Sequence, residues 1–128
     1  MAEAIAFISH FRIKPGKLEE VRAAIGAVAA QLAAAKPRTT AFLGYVDEAG
    51  QRLSIVHLFA DAAAMDLHIE GAADRSQAAY ELFEPAGWEI YGTPSAAARE
   101  MIERNAADAG VPLTIEPDPL GGFLRPES

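Results

Sequence analysis

The sequence predicts an α+β domain with a split βαβ sheet, and three observations carry that prediction. Ala4 to Lys14 alternates cleanly, with Ile5, Phe7, Ser9, Phe11 and Ile13 on one face and Ala4, Ala6, Ile8, His10 and Arg12 on the other. From Leu18 the period changes to that of a helix, with Leu18, Val21, Ile25, Val28 and Leu32 along one stripe. The same succession of strand and helix then returns from Leu53 onward. The order strand, helix, strand, strand, helix, strand is that of ferredoxin-like domains, an antiparallel sheet covered by helices on one face.

Lys14-Pro15-Gly16-Lys17 forms the turn out of the first strand, and Glu19 and Glu20 lie in the first turn of the helix, where the helix dipole favours negative charge. Lys36-Pro37 ends that helix. Thr39 to Asp47 reads as a second strand, joined through the polar turn Asp47-Glu48-Ala49-Gly50 to a third that begins at Leu53, so the two should form a hairpin. The third strand is apolar on nearly every position of both faces, which places it inside the sheet. Asp61 is a candidate N-cap for a helix starting at Ala62 that sets Ala64, Met65 and His68 on one side. Asp74 and Gln77 have the spacing of a capping box for a further helical piece reaching Phe83, with Pro85 as its stop. Trp88 to Tyr91 reads as a short fourth strand. These elements make a ferredoxin-like domain over residues 4–92, and residues 93–128 add a C-terminal helix and arm. Thr93 and Pro94 open that helix as cap and first residue, and Gly110 closes it. Val111, Leu113 and Ile115 alternate as a fifth strand before a proline-punctuated tail, which must lie at an edge because proline cannot donate to the ladder.

Composition removes several classes of function. With no cysteine in 128 residues, thiol nucleophiles, zinc–thiolate sites and disulfides are impossible. A net charge of −7 without a basic cluster argues against nucleic acid and anionic membrane surfaces as partners. No apolar run approaches the ~18 residues of a membrane span, and the N-terminus enters a strand without the pattern of a signal peptide, so the expected compartment is the cytoplasm.

His57, Phe59, Asp61, Ala64 and His68, together with the first strand, the Lys14–Lys17 turn and Leu18-Glu19-Glu20, resemble the dimeric α+β barrel proteins typified by antibiotic biosynthesis monooxygenases. The resemblance covers roughly residues 4–92. It implies a homodimer with its sheets face to face, a ligand cleft between each sheet and its helices, and a pocket-facing histidine at His68. The family's activities range from cofactor-independent oxygenation of phenols to haem degradation and isomerisation. The first strand lacks the Asn of several oxygenases and haem-degrading members, and Trp88 lies in the fourth strand rather than near such an Asn, so neither activity is implied by these residues.

His57 and His68 are the candidate catalytic residues, because a near-neutral imidazole serves as acid, base or ligand anchor. The competing reading of His57 is a core histidine satisfied by backbone or by a hydroxyl such as that of Tyr80. Phe59, Trp88, Tyr80, Met65 and His10 are candidate ligand-binding residues, Trp88, Tyr80 and Phe59 as walls for a flat apolar ligand, although core packing explains the aromatics equally well. His10, on the thinner face, either approaches His57 or lines the subunit interface. No metal site or cofactor is expected, since the three histidines lie on three elements and no pair has the i, i+4 spacing of two ligands on one helix. Convergence of all three would reverse that. Arg75 and Glu70, beside Gly71, mark a cleft mouth or a solvated pair. The expected function is binding of a small aromatic or apolar molecule, as a cofactor-independent monooxygenase or isomerase. The rivals are a non-catalytic ligand-binding or assembly module and a haem or metal protein.

Overall fold

The computed structural model describes residues 4–123 and residue 125. In chain order it contains β1 (Ile5–Ile13), α1 (Leu18–Ala35), β2 (Thr39–Val46), β3 (Arg52–Phe59), α2 (Ala62–Ile69), α3 (Ala72–Ala79), β4 (Phe83–Tyr91), α4 (Ala96–Ala109) and β5 (Leu113–Glu116). The strands form one sheet in the order β2-β3-β1-β4-β5. β3 is thus internal, as its two apolar faces require, and β2 and β3 pair antiparallel as the expected hairpin. β5 runs parallel to β4, so the sheet is mixed and not purely antiparallel. A parallel neighbour needs a crossover, and α4 supplies it.

The strand positions whose alternation was bulkier in the sequence all face the helices. Ile5, Phe7, Phe59, Trp88 and Ile90 pack with Ala64 and Met65 of α2 and with Ala98, Ile102 and Ala106 of α4. Phe11, Leu53, Ile55 and Phe83 pack with Val21 of α1, and Ala79 of α3 lies against them. These two clusters sit side by side under one layer of helices. Among the described residues the opposite face of the sheet carries no helix.

The segment from Gly71 to Pro94 departs from the sequence expectation in three places. α3 begins after Gly71, whose φ of 78° is the left-handed conformation glycine adopts without strain, and no side chain caps it, so Asp74 and Gln77 are not a capping box. That helix ends at Ala79, and β4 begins at Phe83 rather than Trp88. Pro85 therefore does not stop a helix; it lies inside a strand. The register against β1 slips there, Phe11 facing Pro85 and His10 facing Gly87, so Ala86 is the extra residue of a bulge and the proline sits beside it, on a strand that β5 joins only from Trp88 onward. Finally Ser95, not Thr93, caps α4: its hydroxyl accepts from Ala98 N at 3.1 Å and donates to Asp66 at 2.7 Å, tying α4 to α2. Gly110 closes α4 in the left-handed conformation, as expected. Gly92 is also obligatory, because at φ 110° a Cβ would stand 2.8 Å from the Ala4 carbonyl.

Among the described residues beyond Glu116 there is no regular structure, and Leu120 and Phe123 are exposed; where the arm packs falls partly outside the described residues.

Candidate functional site

His57 is positioned by register. It lies in β3 with Phe7 of β1 on one side and Phe42 of β2 on the other. The Phe7 ring stacks on the imidazole at 5.0 Å and Phe42 meets it edge-on at 5.3 Å. Its Nδ1 lies 2.9 Å from the Phe7 carbonyl, and since a carbonyl only accepts, Nδ1 carries the proton. Nε2 is then the bare nitrogen.

His68 is positioned by a helix start. The Asp61 carboxylate accepts from Ala64 N at 2.8 Å and is held from behind by Arg38 at 2.8 and 2.9 Å. Fixing the first turn of α2 in this way turns Met65 and His68, one helical turn apart, toward the sheet. His68 Nδ1 lies 2.7 Å from the Thr39 hydroxyl at the start of β2. The two imidazoles meet edge to face at 5.0 Å, and Phe59 packs behind both.

These rings open on a cavity of about 160 Å³ between the sheet and the helices, partly open to solvent. A cavity of about that size holds one six-membered ring. Among the described residues no enclosed side-chain nitrogen or oxygen lacks a partner, and the Nε2 atoms of His57 and His68 have none, so they must open on the cavity. Burial holds both imidazoles neutral. His57 is brought down from 6.5 to about 4, mainly by desolvation and against the hydrogen bond to Phe7. His68 falls to about 3, again mainly by desolvation, with His57, Arg75 and Lys36 adding to it. The site thus presents the bare Nε2 of His57 as a hydrogen-bond acceptor in an apolar enclosure, with the neutral His68 beside it.

Of the seven residues singled out in the sequence, His57, His68, Trp88 and Tyr80 line this cavity. Phe59 and Met65, fully buried, form the core behind the imidazoles rather than its wall. His10 is on the other face of the sheet, paired with Ser54 and Glu89, so the three histidines do not converge. No group of three or more potential ligands that could hold a metal ion occurs among the described residues. Sequence reasoning missed Phe42, Ser9 and Asn105 as lining residues and placed Arg75 only at the mouth. Ser9 had a signal, being the single polar residue in the bulky face of the first strand.

No protein-family model matches the chain, and neither does any curated protein. Solved structures do. MupZ from Pseudomonas fluorescens superposes with a TM-score of 0.70 at 18% identity, over 97% of this chain and 96% of that one. The chain therefore shares its fold with MupZ. A putative antibiotic biosynthesis monooxygenase from Bacteriodes thetaiotaomicron matches at a TM-score of 0.62 and 16% identity, over 98% and 97% of the two chains. SnoaB, a cofactor-independent oxygenase from Streptomyces nogalater, matches at 0.59 and 14% identity, over 74% of this chain and 97% of that one. At these identities the likeness concerns the fold; the chemistry rests on the cavity. No helix among the described residues is long and apolar enough to cross a membrane.

Proposed function

We propose that the protein binds a small, flat, largely apolar molecule in this cavity and acts on it, as a homodimer, as a cofactor-independent monooxygenase. The observation that carries the reading is the pair of neutral imidazoles, each fixed through Nδ1, with both Nε2 atoms facing an aromatic enclosure. The bare Nε2 of His57 accepts the proton of a phenol, or of a carbon acid next to a carbonyl, and leaves an electron-rich anion shielded from water. That anion is the form that dioxygen oxidises without a cofactor. A ring methylene becomes a carbonyl, one oxygen atom stays in the product, and the other leaves as water with both hydrogens. The substrate itself supplies the four electrons.

The partner subunit is proposed from the bare sheet face: one layer of helices covers the other face only, and an apolar sheet face is ordinarily buried. His57, His68, Trp88 and Tyr80 are the proposed contacts with the ligand.

A second reading is favoured by the same electrostatics. Imidazoles held at about 4 and about 3 are weak bases, well suited to accepting a hydrogen bond from a ligand hydroxyl without taking its proton. Such a protein is a binding module. Oxygen uptake with 1,3-cyclohexanedione, a one-ring enolisable ketone with a doubly activated methylene, separates the two. The oxygenase reading expects uptake above the uncatalysed rate, one O₂ per dione, and loss of uptake in His68→Ala with the fold retained by circular dichroism. Binding without added uptake would leave the module.

A further inference from the structure

The cavity is electrically one-sided. Its lining contains no aspartate or glutamate, both histidines are neutral, and Arg75 is its sole formal charge. This holds in a chain whose acidic residues exceed its basic ones by seven. Arg75 and Lys36 both turn to the C-terminal end of α2. Lys36 Nζ donates to the Leu67 carbonyl at 2.8 Å, and Arg75 donates to the carbonyls of His68 at 2.6 Å and Glu70 at 3.0 Å. Neither cation is in an ion pair among the described residues.

Capping the negative end of a helix dipole explains why cations gather there. It does not account for all of Arg75. A guanidinium carries five N–H donors, the carbonyls take two, and the rest have no protein partner among the described residues. Partial burial makes that incomplete satisfaction costly, and desolvation accordingly lowers the Arg75 pKa. The two carbonyl bonds also fix the fork in place, so a ligand meets a guanidinium that is already oriented.

We infer that the ligand bears a carboxylate, held by the spare donors of Arg75 with Lys36 reinforcing the field, while its ring lies against Trp88 and the imidazoles. This rests on the ligand-binding reading of the cavity and narrows it to flat aromatic or cyclic acids about one ring in size. A carboxylate is the fitting group because its two oxygens match the planar fork. A neutral ligand of the same shape would leave the guanidinium without a counter-charge.

Trp88 is the chain's single tryptophan and lines the cavity, so its fluorescence reports occupancy directly. Benzoate, benzamide and phenol should be titrated against the wild-type protein, Arg75→Gln, Arg75→Lys and His57→Phe. Benzoate is expected to bind about tenfold or more tighter than the isosteric benzamide, as a charge-assisted hydrogen bond requires. The preference should vanish in Arg75→Gln, survive in part in Arg75→Lys, and shrink with added salt. Equal binding of benzoate and benzamide by the wild type, or a preference unchanged in Arg75→Gln, would overturn the carboxylate inference. Phenol that binds the wild type and is weakened in His57→Phe would then leave the cavity reading standing. If no probe perturbs Trp88, both fail.

Discussion

The two faces of the sheet use histidine in opposite ways, and the difference follows from which side of a strand the residue falls on. On the covered face His57 and His68 sit among Phe7, Phe42 and Phe59, each with one hydrogen bond and one nitrogen left to the cavity. On the bare face His10 has both nitrogens engaged, Nδ1 with the Ser54 hydroxyl at 2.9 Å and Nε2 with the Glu89 carboxylate, which also accepts from the Tyr91 hydroxyl. That network pulls the Glu89 carboxyl below its usual value, chiefly through the His10 bond, and pushes the Tyr91 hydroxyl up. A side chain whose hydrogen-bonding capacity is spent on its neighbours organises structure. One with a desolvated, unspent acceptor is equipped for a ligand.

The largest contrast expected is in stability. Phe59→Ala removes a fully buried ring that backs both imidazoles and should cost about 3–5 kcal/mol in urea denaturation. Tyr91→Phe on the bare face removes one partly exposed hydroxyl and should cost far less. Comparable losses from the two would erase the distinction between the faces.

Next in size is the pH dependence. His57 is held at about 4 in the folded chain against 6.5 unfolded, so between those values the unfolded chain binds more protons. The contribution is fully present above pH 6.5 and is lost as pH falls toward 4, amounting to about 3 kcal/mol. His68, also lowered, acts in the same direction. His57→Phe should flatten the stability profile between pH 7 and pH 4.5 relative to wild type, and an unchanged slope would mean that His57 does not titrate as a desolvated group.

The smallest effect is expected at His10. Its pair with Glu89 is about a quarter exposed, so His10→Gln should alter the stability of the subunit by less than about 1 kcal/mol. If the bare face meets a second copy, as proposed, the substitution should instead raise the dimer dissociation constant in sedimentation. A change in ligand affinity without one in association would assign His10 to the site.

Most of the sheet was legible because alternation in the first and third strands is strict, whereas the separation of His10 from His57 was left open because it depends on the register between β1 and β3. The Asp61 cap and the inward turn of His68 were equally local. Pro85 misled because a proline reads as a stop, whereas a bulge, which depends on the partner strand, lets it sit in β4. Ser95 was hidden behind Thr93-Pro94, an equally good opening pair. The meeting of His57 with His68, the bare Nε2 of His57 and the turn of Arg75 toward α2 arise from packing between elements far apart in sequence. Nothing in local spacing encodes them.

The most direct test of the account is a ¹⁵N NMR titration of the histidine side chains from pH 8 to pH 3. It should show His57 and His68 neutral at pH 6, with midpoints at about 4 and about 3, and His57 carrying its proton on Nδ1. Addition of phenol should shift an Nε2 resonance of the pair. Midpoints near 6.5 with Nε2 protonated would contradict the account, for the covered face would then hold ordinary hydrated imidazoles and no acceptor poised for a ligand.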